Sequence, residues 1–154
     1  MLLGLVVIAA FFRLWRLDEV PPGFQFDEAY NAADALRVLA GERPLFFEAN
    51  GGREALHVYL IAPFVAVLGP GPFALHLASA LIGIVTVALS YLLLRKLLPA
   101  GDGSAALAAL LLAVSYWHVH FSRYGIRAIL LPLLLVLVVY FLWDAHSLAQ
   151  RGNG

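Results

Sequence analysis

Residues 55–94 read ALHVYLIAPFVAVLGPGPFALHLASALIGIVTVALSYLLL, forty residues without one Lys, Arg, Asp or Glu. A membrane-spanning helix needs about 20 apolar residues, so the run has room for two. Gly69-Pro70-Gly71-Pro72 cuts it, because proline removes a backbone donor and no helix continues through such a sequence. Residues 73–94 after the cut meet the spanning length. Residues 54–68 before it are fifteen, a length that suits an interfacial or re-entrant helix better than a crossing.

Working outward, residues 104–122 and 128–143 are also free of charge. Residues 1–12 are apolar until Arg13 and Arg16 interrupt them. They lack the positive n-region and small-residue cleavage site of a signal peptide, so a first transmembrane helix is expected. Most of the chain's charged residues crowd into 13–54. The expected organisation is therefore a first span over 1–17, a polar loop with interfacial helices over 18–72, and spans over 73–94, 104–121 and 128–146.

Composition agrees. Of 154 residues, 62% are hydrophobic and 13% charged, against about 25% charged in soluble domains. Ten basic and ten acidic residues cancel, so no nucleic-acid partner is expected. Without cysteine, disulfides and thiolate metal sites are excluded. The fold class is all-α, a polytopic helical membrane protein with about four spans.

Charge sets the topology. If residues 54–68 do not cross, 73–94 delivers Arg95-Lys96 to the cytoplasm and Arg151 also ends inside, as the positive-inside rule prefers. The loop 13–54 and the shorter Ser122–Arg127 loop then share the external side.

Within the first loop, Pro21-Pro22-Gly23 stops the first helix. Asp27 is placed as the N-cap of an Ala- and Leu-rich helix over 28–40, with Gly41 as its C′ residue. Asp27 and Glu28 are also adjacent carboxylates at a membrane surface, where partial dehydration can turn a carboxylate into a useful base. Arginines on the external side run against the charge rule, which argues that they have partners. Arg13, Arg16, Arg53, Arg123 and Arg127 together form a candidate cationic pocket facing Asp27, Glu28 and Glu54. The guanidinium fork suits phosphate, so a lipid phosphate is the expected ligand class.

The order of these features resembles the N-terminal part of GT-C membrane glycosyltransferases. The branch is the dolichyl-phosphate-mannose protein mannosyltransferase-like family, which includes the aminoarabinose transferase of lipid A. The resemblance rests on Arg13-Leu14-Trp15-Arg16-Leu17-Asp18 closing helix one, Phe26-Asp27-Glu28-Ala29-Tyr30, and Gly52-Arg53-Glu54-Ala55-Leu56. It continues through Leu77-Ala78-Ser79-Ala80-Leu81-Ile82-Gly83 to Ser122-Arg123. It implies transfer of a sugar, with inversion, from a polyprenyl- or dolichyl-phosphate donor to an acceptor of unspecified kind outside the plasma membrane. Asp27, with Glu28 beside it, is the matching catalytic position, and the arginines with Glu54 are the substrate-binding set. No cofactor or metal is implied. Many relatives have Lys-Pro-Pro-Leu or His-Pro-Pro-Leu where this chain has Arg53-Glu54-Ala55-Leu56, and an acidic residue soon after the second-loop Ser-Arg. The resemblance also implies about a dozen spans, so the chain is expected to be a fragment, inactive alone.

His118 and His120 are two apart and cannot pinch one metal from a helix. His57 and His76 are expected to make interfacial or interhelical hydrogen bonds. Tyr116, Trp117, Phe121 and Tyr124 fit an aromatic belt. A different class of function is a non-catalytic small polytopic protein, a scaffold or part of a transporter. Transporters, however, place ionisable groups inside their spans, and the central spans here carry none.

Overall fold

The computed structural model describes residues 1–98 and 102–150 and the backbone of 151–152; the Arg151 side chain lies outside the described residues. The chain is nearly all helical. Its elements are α1 (Leu2–Leu14), α2 (Phe26–Leu39), β1 (Phe46–Phe47), β2 (Arg53–Glu54), α3 (Leu56–Leu68), α4 (Pro72–Leu97), α5 (Asp102–Val114), α6 (Tyr116–Ser122), a 3₁₀ turn at Arg127–Ile129, and α7 (Leu130–Gly152).

Helix α4 is the central post, packed against every other helix. Its buried positions include Ala74, Ala78, Ser79, Ala80, Gly83 and Ser90, small residues that let neighbouring backbones approach closely where apolar solvent gives little drive to associate. Three layers fix the directions of its neighbours. Leu5 of α1 packs with Tyr91, Ala105 and Ala109, and Ala9 packs with Val87 and Ala113. One turn further along, Arg13 reaches Ser122. Helix α1 and the α5–α6 segment therefore run together, antiparallel to α4. Gly83 makes the last crossing possible, because a Cβ there would overlap the Ser122 side chain and lie 2.9 Å from Arg13 Nε.

The remaining core joins α2, the hairpin and α3 to the first turns of α4, through Ala35, Phe47, Val58, Ile61 and Leu75. This polar half caps one end of the bundle. At the opposite end, Arg95 pairs with Asp102 and Lys96 with Asp144. The loop 13–54 and the Ser122–Arg127 segment thus share one end, and Arg95-Lys96 lie at the other.

Two helices, Pro72–Leu97 and Arg127–Gln150, are long and apolar enough to cross a membrane. The expected straight span over 104–121 is instead two helices, α5 and α6, bent by 58°. At 13 residues each, α1 and α3 measure about 20 Å at 1.5 Å per residue, less than the hydrocarbon core of about 30 Å. The length criterion therefore supports two spans, or three with the bent pair as one, and α1 is a shorter apolar helix beside them.

The glycine-proline break is realised as expected. Helix α3 stops at Gly69, whose φ is 83°, and α4 begins with Pro72 at its first turn. Helix α2 ends in a Schellman pattern around Gly41 (φ 105°), with Gly41 N–H donating to Val38 O and Glu42 N–H to Arg37 O. Its start corrects the expectation for Asp27. The cap residue is Gln25, with extended backbone, and the helix begins at Phe26. Glu28 Oε2 accepts the Gln25 N–H at 2.9 Å, the return half of a capping box, so Asp27 is left in the first turn with no capping task.

Candidate functional site

Helix α2 presents Asp27, Asn31 and Asp34 at i, i+4 and i+7, one face of a helix. That face meets the β1–β2 hairpin. In the hairpin Phe46 pairs with Glu54 and Phe47 with Arg53, which turns the Arg53 side chain inward. Arg53 is buried; it donates to Asn31 Oδ1 and Asp34 Oδ2 and lies 5.7 Å over the Tyr30 ring. Its charge is balanced by Asp34, and two of its nitrogens are taken by side chains of α2.

A polar cleft of about 100 Å³ lies beside this arginine, lined by Asp27, Asn31, Asn50, Arg53, Ile126 and Arg127. Asp27 is exposed, and one of its oxygens accepts from Asn50 Nδ2 at 2.6 Å. As a residue of the first turn it also sits at the positive end of the α2 dipole. On the other wall, Arg127 Nη1 donates to Glu54 Oε2 at 2.6 Å and to Gly52 O at 3.3 Å. Its Nε and Nη2 have no partner among the described residues. Glu54 is exposed, and its carboxyl is held below the ordinary range by its own backbone N–H and by the Arg127 charge.

Arg127 also belongs to a second hollow. An apolar groove of about 370 Å³ runs between the start of α3 and the start of α7, lined by Glu54, Leu56, His57, Arg127, Leu131 and Leu134 among others. His57 is buried in its wall. Burial, with Arg53 and Arg127 nearby, pushes this imidazole down to about 4, so it is neutral. Neither ring nitrogen has a partner among the described residues, which corrects the expectation of an interhelical hydrogen bond at this histidine. At His76 that expectation holds.

The other expected site residues are used elsewhere. Glu28 turns away from the cleft into the packing between α2 and α4. There its Oε1 accepts from His76 Nε2 and from Gly125 N–H, each at 2.7 Å. Desolvation pulls its pKa up, but the bonds from His76, Gly125 and Gln25 outweigh it, and the net direction is down. Asn31 Nδ2 donates back to Gly125 O at 2.7 Å. The second polar loop is thus clamped to α2 through one glycine, where a Cβ would come within 2.5 Å of Leu75 Cβ.

Arg13 is fully buried and spends its donors on Ala9 O, Ala113 O, Ser122 Oγ and His118 Nδ1. Arg123 donates to carbonyls of Phe12, Arg13, Trp15, Arg16 and Val20, closing the C-terminal end of α1. Arg16 pairs with Glu19 on the surface. The expected pocket of five arginines is therefore a cleft with two, Arg53 and Arg127, beside Asp27, with Glu54 outside its lining and paired to Arg127. Asn31 and Asn50 complete it and were not anticipated. The helical spacing from Asp27 points to Asn31, and the turn-forming Asn50-Gly51-Gly52 points to Asn50. Among the described residues no group of His, Asp and Glu is arranged to hold a metal ion.

A family model of dolichyl-phosphate-mannose-protein mannosyltransferases matches residues 55–153, from the start of α3 through α7, and so includes Arg127 and the apolar groove. Asp27, Asn50 and Arg53 precede the matched range. No curated protein and no solved structure matches the chain. A bundle of apolar helices, two of them long enough to cross a bilayer, agrees with that match: the chain belongs to the dolichyl-phosphate-mannose-protein mannosyltransferase family, a family of glycosyltransferase-type membrane proteins.

Proposed function

We propose that the cleft and groove are the reacting end of a sugar transferase that takes its sugar from a polyprenyl- or dolichyl-phosphate donor. One observation carries this reading. The exposed Asp27 carboxylate and the partly free Arg127 guanidinium share a small polar cleft, and Arg127 also opens onto an apolar groove along α3 and α7. An amphiphile with a phosphate head fits that division, its chain against Leu131 and Leu134 and its head at Arg127.

In the reaction, Asp27 takes the proton of an acceptor hydroxyl as its oxygen attacks the anomeric carbon. The bond from that carbon to the phosphate oxygen breaks, and the electron pair leaves with the lipid phosphate. Attack opposite the leaving group inverts the anomeric centre. Arg127 faces the charge that grows on the departing phosphate. The neutral His57 lies buried in the groove wall, with neither ring nitrogen partnered among the described residues. Arg53 braces α2 against the hairpin. Glu28, being buried, holds the fold beneath the cleft and takes no proton.

The cleft end of the bundle is placed outside the cell membrane, with Arg95-Lys96 in the cytoplasm as the charge rule prefers. In this arrangement α1 serves as the first of four spans, α5 with α6 as a broken third, and α3 stays at the interface. The acceptor is a hydroxyl-bearing molecule on that outer side.

The test is Asp27→Asn, assayed in native membranes with polyprenyl-phosphate-linked mannose and aminoarabinose. Since Gln25 and not Asp27 caps α2, and Asn can still accept from Asn50, expression and thermal stability should stay at the wild-type level. Loss of a general base costs about 10²–10⁴-fold in rate. Transfer at close to the wild-type rate would remove Asp27 from the chemistry.

A further inference from the structure

The hairpin connection binds both walls of the cleft. Between β1 and β2, Asn50, Gly51 and Gly52 adopt φ values of 55°, 77° and 83°. Left-handed backbone costs a residue with a Cβ about 1 kcal/mol, and asparagine is among the few that tolerate it. Glycine occupies the next two positions and would fit position 50 without strain. What asparagine adds there is an amide, and that amide donates to Asp27 Oδ1 across twenty-three residues of chain. The other end of the same turn holds the opposite wall. Gly52 O accepts from Arg127 Nη1, and a Cβ on Gly52 would meet Phe46 Cζ at 2.6 Å, so the turn is pressed onto its own strand.

We propose that Asn50 is a positioning residue for the transfer reaction. Its amide fixes one oxygen of Asp27, so that the other faces the acceptor, while the turn it begins sets the spacing between Asp27 and Arg127. The inference rests on the reading of Asp27 as the base. An aspartate carboxylate turns about a broad, roughly two-fold torsion, and an exposed one has little else to stop it. Misplacing a reacting group by about 1 Å can cost on the order of 10²-fold in rate. The amide thus converts an exposed, swivelling carboxylate into an oriented one, without burying it and without a charge that would compete with Arg127 for the phosphate.

Two substitutions separate positioning from folding. Asn50→Gly keeps the left-handed turn and removes the amide. Asn50→Asp keeps the shape and the tolerance of positive φ, but replaces the donor with an acceptor. Both are assayed in the full chain, in native membranes, with polyprenyl-phosphate-linked mannose and aminoarabinose. The expected result for Asn50→Gly is a loss of about 10–100-fold in kcat, with KM for the donor within about twofold. Asn50→Asp should lose at least as much. In an Asp27→Asn background, Asn50→Gly should cost less than about twofold more, because the group it positions has gone. An unchanged kcat in Asn50→Gly overturns the proposal. So does a raised KM at constant kcat, and so do losses that multiply in the double variant. Transfer that survives Asp27→Asn at close to the wild-type rate overturns the reading of Asp27, and the positioning role falls with it.

Discussion

Replacing Glu28 measures how far the cleft depends on its buried support. The side chain accepts three hydrogen bonds, from Gln25 N–H at 2.9 Å and from His76 Nε2 and Gly125 N–H at 2.7 Å, and Glu28 and His76 are both buried. Glu28→Ala orphans the His76 and Gly125 donors, at about 1–3 kcal/mol each, and ends the return half of the capping box, worth about 1 kcal/mol. Those terms centre on about 5 kcal/mol. At about 2–4 °C per kcal/mol for a chain of this size, the melting temperature should fall by on the order of 10 °C. Glu28→Gln keeps an oxygen for His76 and Gly125 but turns an amide toward the Gln25 N–H, so it should cost only about 1–2 kcal/mol. Thermal unfolding in detergent, followed by tryptophan fluorescence, reads both. The pH dependence has a definite sign. Because the folded pKa of Glu28 is lowered, its stabilisation is complete above the ordinary value of 4.5 and is lost as pH falls through the lower folded value. Glu28→Gln should lose that acid sensitivity. A Glu28→Ala protein as stable as the wild type would show that the α2–α4 clamp does not hold the cleft.

Two more outcomes follow from the packing. Gly83→Ala should destabilise by about 1–3 kcal/mol, because the added methyl overlaps Ser122 and crowds Arg13 Nε; the same unfolding assay reads it, and Gly103→Ala, which meets nothing within 4 Å, is its control. Single cysteines at positions 49 and 124 should react with an impermeant thiol reagent added to intact cells, and one at 96 should not, in a background free of cysteine; labelling at 96 alone would invert the proposed orientation.

Local chemistry made some elements legible in the sequence. Gly69-Pro70-Gly71-Pro72 ends α3 and starts α4 where backbone sterics require it, and Gly41 closes α2 by the same logic. The start of α2 shows two local signals in competition. Asp27 is a good cap in isolation, but Gln25 and Glu28 are three apart and make reciprocal use of each other, which leaves Asp27 unoccupied and exposed. That frees the carboxylate for the cleft. The break between α5 and α6 had no such local sign, since Val114-Ser115-Tyr116 contains neither glycine nor proline. It coincides with a tertiary demand: Arg13, on another helix, takes the carbonyl of Ala113 on one side of the break and the His118 ring on the other.

The arginines show why the site itself was only half legible. A sequence gives each of them the same charge and the same fork, so side of membrane is the only criterion for grouping them. The fold distinguishes them by the acceptors within reach. Arg123 meets the carbonyls at the end of α1 and Arg13 that of Ala113 in the last turn of α5, where oxygens are left unpaired and the dipole is negative. They are consumed in holding α1 to α6. Arg16 finds Glu19 three residues away, and Arg53 is turned by the hairpin register onto Asn31 and Asp34. Arg127 opens the 3₁₀ turn that leads into α7 and keeps two of its nitrogens unspent beside a carboxylate and an apolar groove. An anion entering this end of the bundle therefore meets Arg127 at the lowest cost, because no existing hydrogen bond has to break before Nε and Nη2 donate to it.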